Sequence, residues 1–358
     1  MTPGSFPPER TLPGSTVTSR LTFRLASVAL ILMGLIWARG LLVPIVLAVM
    51  LAVLAHPLVE LFERRRLPYP AAVALGQLLT TIPLLGISLL FILSAQPFLT
   101  GFERYQSGLE VRIAAALEWL VSHVAEGERR VALEASLRSE VIPRALEFGG
   151  EIVKGFAQSV SAMVGGLLLT LVVAFFALLE AGRLREKFSQ AFGEDNALFA
   201  SLEAIQRDIR GYVVAKTLTS LLTSFCVWIV LAALQVPYAT LWAVLAFPMN
   251  FVPTVGATIA SVPPMLMAAV DPQTSTFGLS MVCLGLVLVN VSIGTLIEPR
   301  YLGRKLALSP LVVFLSMLLW YLIWGPIGAV LAVPIMVTVK VICSHVRGLE
   351  RVAIILQA

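Results

Sequence analysis

The sequence predicts an all-α polytopic membrane protein. It should have about six full transmembrane spans, two opposed Pro/Gly-tipped helical hairpins and an amphipathic helical insertion outside the membrane, with eight to ten membrane segments in all. Four observations predict this. Of 358 residues, 58% are hydrophobic and 13% charged, where a soluble domain has roughly a quarter charged. Several apolar runs reach the roughly 20 residues that a helix needs to cross a hydrocarbon core. The short alternating segments of a membrane β-barrel are absent. Finally, two nearly identical phrases, VGATIASVP from Val255 and IGAVLAVP from Ile327, break apolar runs with Pro and Gly.

The elements follow in order along the chain. Residues 1–20 are rich in Pro, Gly, Ser and Thr, a composition that cannot bury a core, and form a disordered tail. The spans over 21–99 are Leu21–Ala38, Leu41–Leu61 and Ala71–Ala95. No small-residue cleavage site follows the first run, which is read as a retained helix rather than a signal peptide. From 100 to 152 the chain turns charged, with apolar residues at helical spacing (Leu109, Ile113, Leu117, Leu120, Val124). This insertion packs on its own bundle, meets a neighbouring subunit or lies on the bilayer. The core, 153–358, holds spans Phe156–Leu179, Tyr212–Leu234 and Phe277–Ile297, with the broken stretches 240–270 and 308–342.

Basic residues in short loops set orientation, and the net charge of +5 is therefore not read as nucleic-acid binding. Arg64–Arg66, the cluster from Arg183 to Arg210, and Arg300, Arg304 and Lys305 alternate with the loops VPYAT and DPQTST, which carry no basic residue. Both termini are therefore predicted to be cytoplasmic. On this count the stretch 240–270 enters from outside and returns, and 308–342 does the reverse. The first arm, Thr240–Val252, is about 20 Å long at the α-helical rise, short of a core of about 30 Å. The tips hold Pro253 and Gly256 in one hairpin, and Gly325, Pro326 and Gly328 in the other. Proline removes a backbone donor, and glycine reaches backbone angles closed to other residues. Irregular backbone at membrane depth must be buried in protein or line a watery cavity, and matching interruptions in two halves mark the solute site of inverted-repeat transporters.

Few polar residues lie nearby: Asn250 before the first tip, and Asn290, Ser292, Thr295 and Glu298 along span six. Each is costly in a membrane and so a candidate solute ligand. Asn250 alternatively bonds freed backbone near Pro253, and Glu298 alternatively pairs with Arg300 or Arg304. His56 and Gln77 read as structural. Cys226, Cys283 and Cys343 show no metal or disulfide spacing. There is no GxxxxGK[ST] phosphate loop and no HExxH motif. No Ser/His or paired-Asp set sits in the spans. No cofactor is expected, and an enzyme or a scaffold acting through the insertion are the competing readings.

The phrases FPMNFVPTVGATIASVPPM, IEPRYLGRKLALSPLVVFL and GPIGAVLAVPIM, with HPLVELFERRRLP and IRGYVVAKTLTSLL, resemble the AI-2E family of bacterial membrane proteins, which also includes PerM-like permeases. The resemblance runs from about Val43 onward. It implies an inner-membrane transporter exporting autoinducer-2, or in some relatives exchanging Na⁺ (Li⁺) for H⁺. It also implies a homo-oligomer, a pentamer, with elevator-like movement of the half that bears the hairpins. Lys216 departs from the pattern, since relatives often carry glycine there. It is either a charge facing a cavity or a residue snorkelling to the interface.

Overall fold

The computed structural model describes residues 17–124, 165–183, 197–252, 255–298, 308–345 and 350–356, together with a few scattered positions between these segments. Among the described residues the fold is all-helical. In chain order the helices are α1 (Val17–Trp37), α2 (Arg39–Arg64), α3 (Tyr69–Val124), α4 (Gly165–Arg183), α5 (Ala197–Ala233), α6 (Ala239–Met249), α7 (Gly256–Val270), α8 (Thr276–Val291) with a π-helical extension Ser292–Ile297, α9 (Pro310–Trp324), α10 (Pro326–His345) and α11 (Glu350–Leu356).

Among the described residues, six helical segments are long and apolar enough to cross a membrane: Arg39–Arg64, Tyr69–Gly101, Gly165–Arg183, Glu203–Ala233, Thr276–Ile297 and Pro326–Ser344. The membership differs from the sequence expectation at two places. The apolar part of α1, Leu25–Trp37, belongs to the shorter class, and the return arm of the second hairpin belongs to the longer one. That hairpin is therefore asymmetric, with arms of 15 and 20 residues. At the α-helical rise only the second arm approaches about 30 Å.

Helix α3 is continuous over 56 residues, about 84 Å. The first part of the expected insertion thus continues span three, because the charge that begins near Glu103 changes a helix's solvent without stopping it. Most of 125–152, the rest of the insertion, lies outside the described residues, as do residues 1–16 of the expected tail, whereas its residues 17–20 are helical and open α1.

Helix α5 organises the bundle. It packs against α6, α10, α8 and α2. Its outward face carries exposed Leu218, Leu221, Leu222, Phe225 and Ile229, while its inward face buries Lys216, Thr219, Ser220 and Thr223. A soluble helix would place these faces the other way round. Exposed apolar side chains and buried polar ones suit a lipid exterior around a polar interior.

Two tethers fix the periphery. At the base of the first hairpin, Phe98 of α3 meets Tyr238 and Trp242 edge-on, with centroids 5.4 and 5.2 Å away. Helix α1 is held by Trp324 of α9, whose Nε1 donates to the Leu35 carbonyl at 3.1 Å. Trp324→Phe should cost about 0.5–1.5 kcal/mol, one net hydrogen bond. Hydrogen exchange should then accelerate in α1 more than in α5; uniform acceleration would contradict the tether.

Candidate functional site

The first hairpin breaks where its sequence withdraws helical hydrogen bonds. Pro248 lies inside α6. The chain then leaves the helix through tighter turns, with Phe251 N–H on the Pro248 carbonyl at 3.1 Å and Val252 N–H on Met249 at 3.0 Å. Pro253, an expected tip residue, lies outside the described residues. Gly256 opens the return arm so close to the outgoing one that a Cβ there would sit 1.8 Å from the Met249 carbonyl oxygen.

The second hairpin turns at Gly325, whose φ of +70° is the left-handed region that favours glycine. Pro326 follows at the first position of α10, where its fixed φ suits a helix start. Gly328 repeats the close approach: a Cβ would sit 2.0 Å from the Trp320 carbonyl oxygen. The related phrases thus place their glycines alike, each against a backbone carbonyl of its own outgoing arm. The hairpins also touch one another, for Val252 and Val255 of the first pack on Met317, Ala329 and Ala332 of the second.

Beside the first of these tips lies a buried polar seam on one face of α5. Tyr212, Lys216, Thr219, Ser220 and Thr223 recur at intervals of three and four, one stripe of an α-helix. Asn250 closes on it from the end of α6, with Nδ2 donating to Ser220 Oγ at 3.1 Å, both side chains buried. Glu298 enters from the end of the π segment and forms an ion pair with Lys216 Nζ. An inserted residue turns whatever follows it by about 100° around a helix axis, and such bulges often mark functional positions. The pair is well buried, with side chains 2% and 16% exposed. Tyr212 is also buried, and its hydroxyl has no hydrogen-bond partner among the described residues.

The candidate residues fall into groups. Asn250 and Glu298 join the α5 seam. Asn290 lies on the other side of the first hairpin, with Nδ2 donating to Ser261 Oγ at 2.8 Å and to the Ala257 carbonyl at 3.3 Å. It thereby braces the return arm just beyond Gly256. Thr295 is not brought to either cluster, being exposed with its hydroxyl on the Val291 carbonyl. Gly256, Gly325, Pro326 and Gly328 shape the tips. The expected pairing of Glu298 with Arg300 is not found, because the π segment directs Glu298 to α5; Arg304 lies outside the described residues. Lys216, Ser220, Thr219 and Thr223 were not expected as ligands. The signal was present as a polar stripe of helical period inside an otherwise apolar span.

Other polar residues have local roles. Asp271 accepts from Thr274 Oγ1 at 2.8 Å in the turn between α7 and α8. His56 faces Glu60 at 3.4 Å on an exposed stretch of α2. Among the described residues no group of His, Cys, Asp and Glu is placed to hold a metal.

A family model described as AI-2E family transporter matches residues 25–348. The chain belongs to the AI-2E transporter family. Among its AI-2E relatives, the AI-2 transport protein TqsA of Escherichia coli K12 is 31% identical over 342 residues, covering 94% of this chain and 95% of the relative. A putative transport protein of Haemophilus influenzae is 30% identical over 331 residues, covering 90% and 91%. The putative transport protein YhhT of Escherichia coli K12 is 30% identical over 339 residues, covering 94% and 93%. These matches span nearly the whole length of each AI-2E protein, so the two hairpins and the α5 seam both fall within the shared region.

Proposed function

We propose that this AI-2E transporter exports a small polar solute resembling autoinducer-2 from a bacterial cell across the inner membrane, by transport and without catalysis. The observation that carries the reading is the inverted character of α5: a stripe of buried hydroxyls and one ammonium beside the first hairpin's tip and the second hairpin's return arm, with an apolar exterior. A buried polar stripe costs stability unless it has a use, and intramembrane polar groups mark solute paths. The name of TqsA supports the choice of solute. Asn250, Ser220 and the Lys216–Glu298 pair line the path. Asn290, Gly256, Pro253, Gly325, Pro326 and Gly328 hold the tips that open and close it, and Thr295 faces outward. Movement is of elevator type, with both termini cytoplasmic and the chain assembled as a homo-oligomer, a pentamer. Na⁺(Li⁺)/H⁺ exchange is not adopted, since the carboxylate in this seam is already countered by Lys216.

The test is efflux of autoinducer-2 from proteoliposomes. Asn250→Ala removes one donor from the path and leaves Ser220 without it. Solute affinity should fall by about two- to tenfold, one net hydrogen bond of 0.5–1.5 kcal/mol, with the protein still folded. Equal efflux from wild type, Asn250→Ala and empty vesicles would refute the reading.

A further inference from the structure

We propose that Lys216 is a tethered counter-ion, holding beside Glu298 the place that a free monovalent cation would otherwise take. This deepens the reading of the α5 seam as the solute path and rests on it for its bearing on transport. Glu298 is largely buried at the end of the π segment, and its ion-pair partner among the described residues comes from α5, far along the chain. A carboxylate in such a place demands positive charge, because an uncompensated buried ion costs several kcal/mol. The ammonium meets that demand from inside the molecule.

A small hard cation beside Glu298 would find further oxygens on this face of α5. Such ions take oxygen ligands, carboxylates above all. Besides Glu298, the same face of α5 carries the buried Tyr212 hydroxyl, which lies one turn before Lys216 and is without a partner among the described residues. Thr219 and Ser220 follow within the next turn, also buried. Lys216 itself is among the largest fully buried side chains, so removing its head group leaves Glu298 without its buried partner. Lys216 therefore decides ion dependence. With it the site needs no dissolved cation, and without it the site acquires a requirement for one.

The experiment uses the purified full chain in detergent at pH 8, melted in NaCl, LiCl or choline chloride at constant ionic strength. The variants are Lys216→Met and Lys216→Met/Glu298→Gln. A ligand that binds only the folded state raises Tm with its concentration. Wild type and the double variant should melt alike in all three salts, while Lys216→Met should show a saturable rise in Na⁺ or Li⁺ over choline. Binding of radioactive Na⁺ should approach one ion per chain in Lys216→Met alone. A Lys216→Met protein that survives purification only in Na⁺ or Li⁺ gives the same answer. The inference is overturned if Lys216→Met melts identically in every salt, as it would were Glu298 simply protonated. It is also overturned if wild type responds to Na⁺ as strongly as the variant, or if Lys216→Met is lost in all salts while the double variant folds. No solute flux enters this measurement, so failure of the solute reading and failure of the counter-ion are separately visible.

Discussion

Gly256→Ala and Gly328→Ala are each expected to destabilise the protein, against the normal sign of such a change. Glycine inside a helix usually costs roughly 1 kcal/mol relative to alanine, so alanine should help. Here the added Cβ would meet a backbone carbonyl oxygen at 1.8 Å for Gly256 and 2.0 Å for Gly328. Backbone cannot step aside as a flexible side chain can, and overpacking of this kind costs about 1–3 kcal/mol or more. The control is Gly211→Ala on α5, where a Cβ meets nothing within 4 Å; it should be neutral or mildly stabilising. Leucine at either hairpin glycine should prevent the arms from closing. Both leucine variants should still insert, because insertion follows apolar length, yet neither should support flux. Melting curves and surface biotinylation check the two halves of this expectation. Unchanged melting of both alanine variants would mean that the arms stand apart.

The second large effect is at the ion pair, where single and double substitutions should differ in kind. Removing one partner of a buried pair leaves the other uncompensated and typically costs 3–5 kcal/mol, whereas replacing both with groups of similar volume is often close to neutral. Glu298→Gln should therefore melt well below wild type. Lys216→Met/Glu298→Gln should recover most of that loss. The discriminating quantity is the coupling energy of the cycle, which should be about 2 kcal/mol or more for groups in direct contact. Additive single and double effects would show that the two charges are solvated separately. In flux, Glu298→Gln should lose the wild-type rate even in vesicles corrected for the amount of folded protein.

The sequence made the class of fold legible, and its Pro/Gly interruptions fall where helices end, after Met249 and after Trp324, because apolar run length and such interruptions are local signals. Gly256 and Gly328 stood out by their matching phrases, and both prove to lie against a carbonyl. Continuity was less legible. Composition changes sharply near Thr100, yet α3 runs on to Val124, since a helix can leave the membrane while its backbone hydrogen bonds persist. The partner of Glu298 was hidden for a different reason. Arg300 and Arg304 are its neighbours along the chain, while Lys216 reaches it only through the α5 packing and the turn imposed by the π segment. Asn250 and Asn290 look equivalent as isolated carboxamides in apolar sequence. They serve opposite sides of the first hairpin, one bonded to Ser220 and the other to Ser261, a difference that only tertiary contacts reveal.

The most direct test asks whether the α5 seam opens to water. Ser220 is fully buried and Leu218, two residues earlier, is 53% exposed on the apolar face. Ser220→Cys and Leu218→Cys would each be made after replacing Cys226, Cys283 and Cys343 with alanine, then treated in proteoliposomes with a water-soluble thiol reagent. A transport path predicts that Ser220→Cys reacts during turnover and is protected by saturating autoinducer-2, while Leu218→Cys, facing lipid, stays unreactive. A Ser220→Cys protein that never reacts, or reacts at a rate indifferent to solute, would contradict the account.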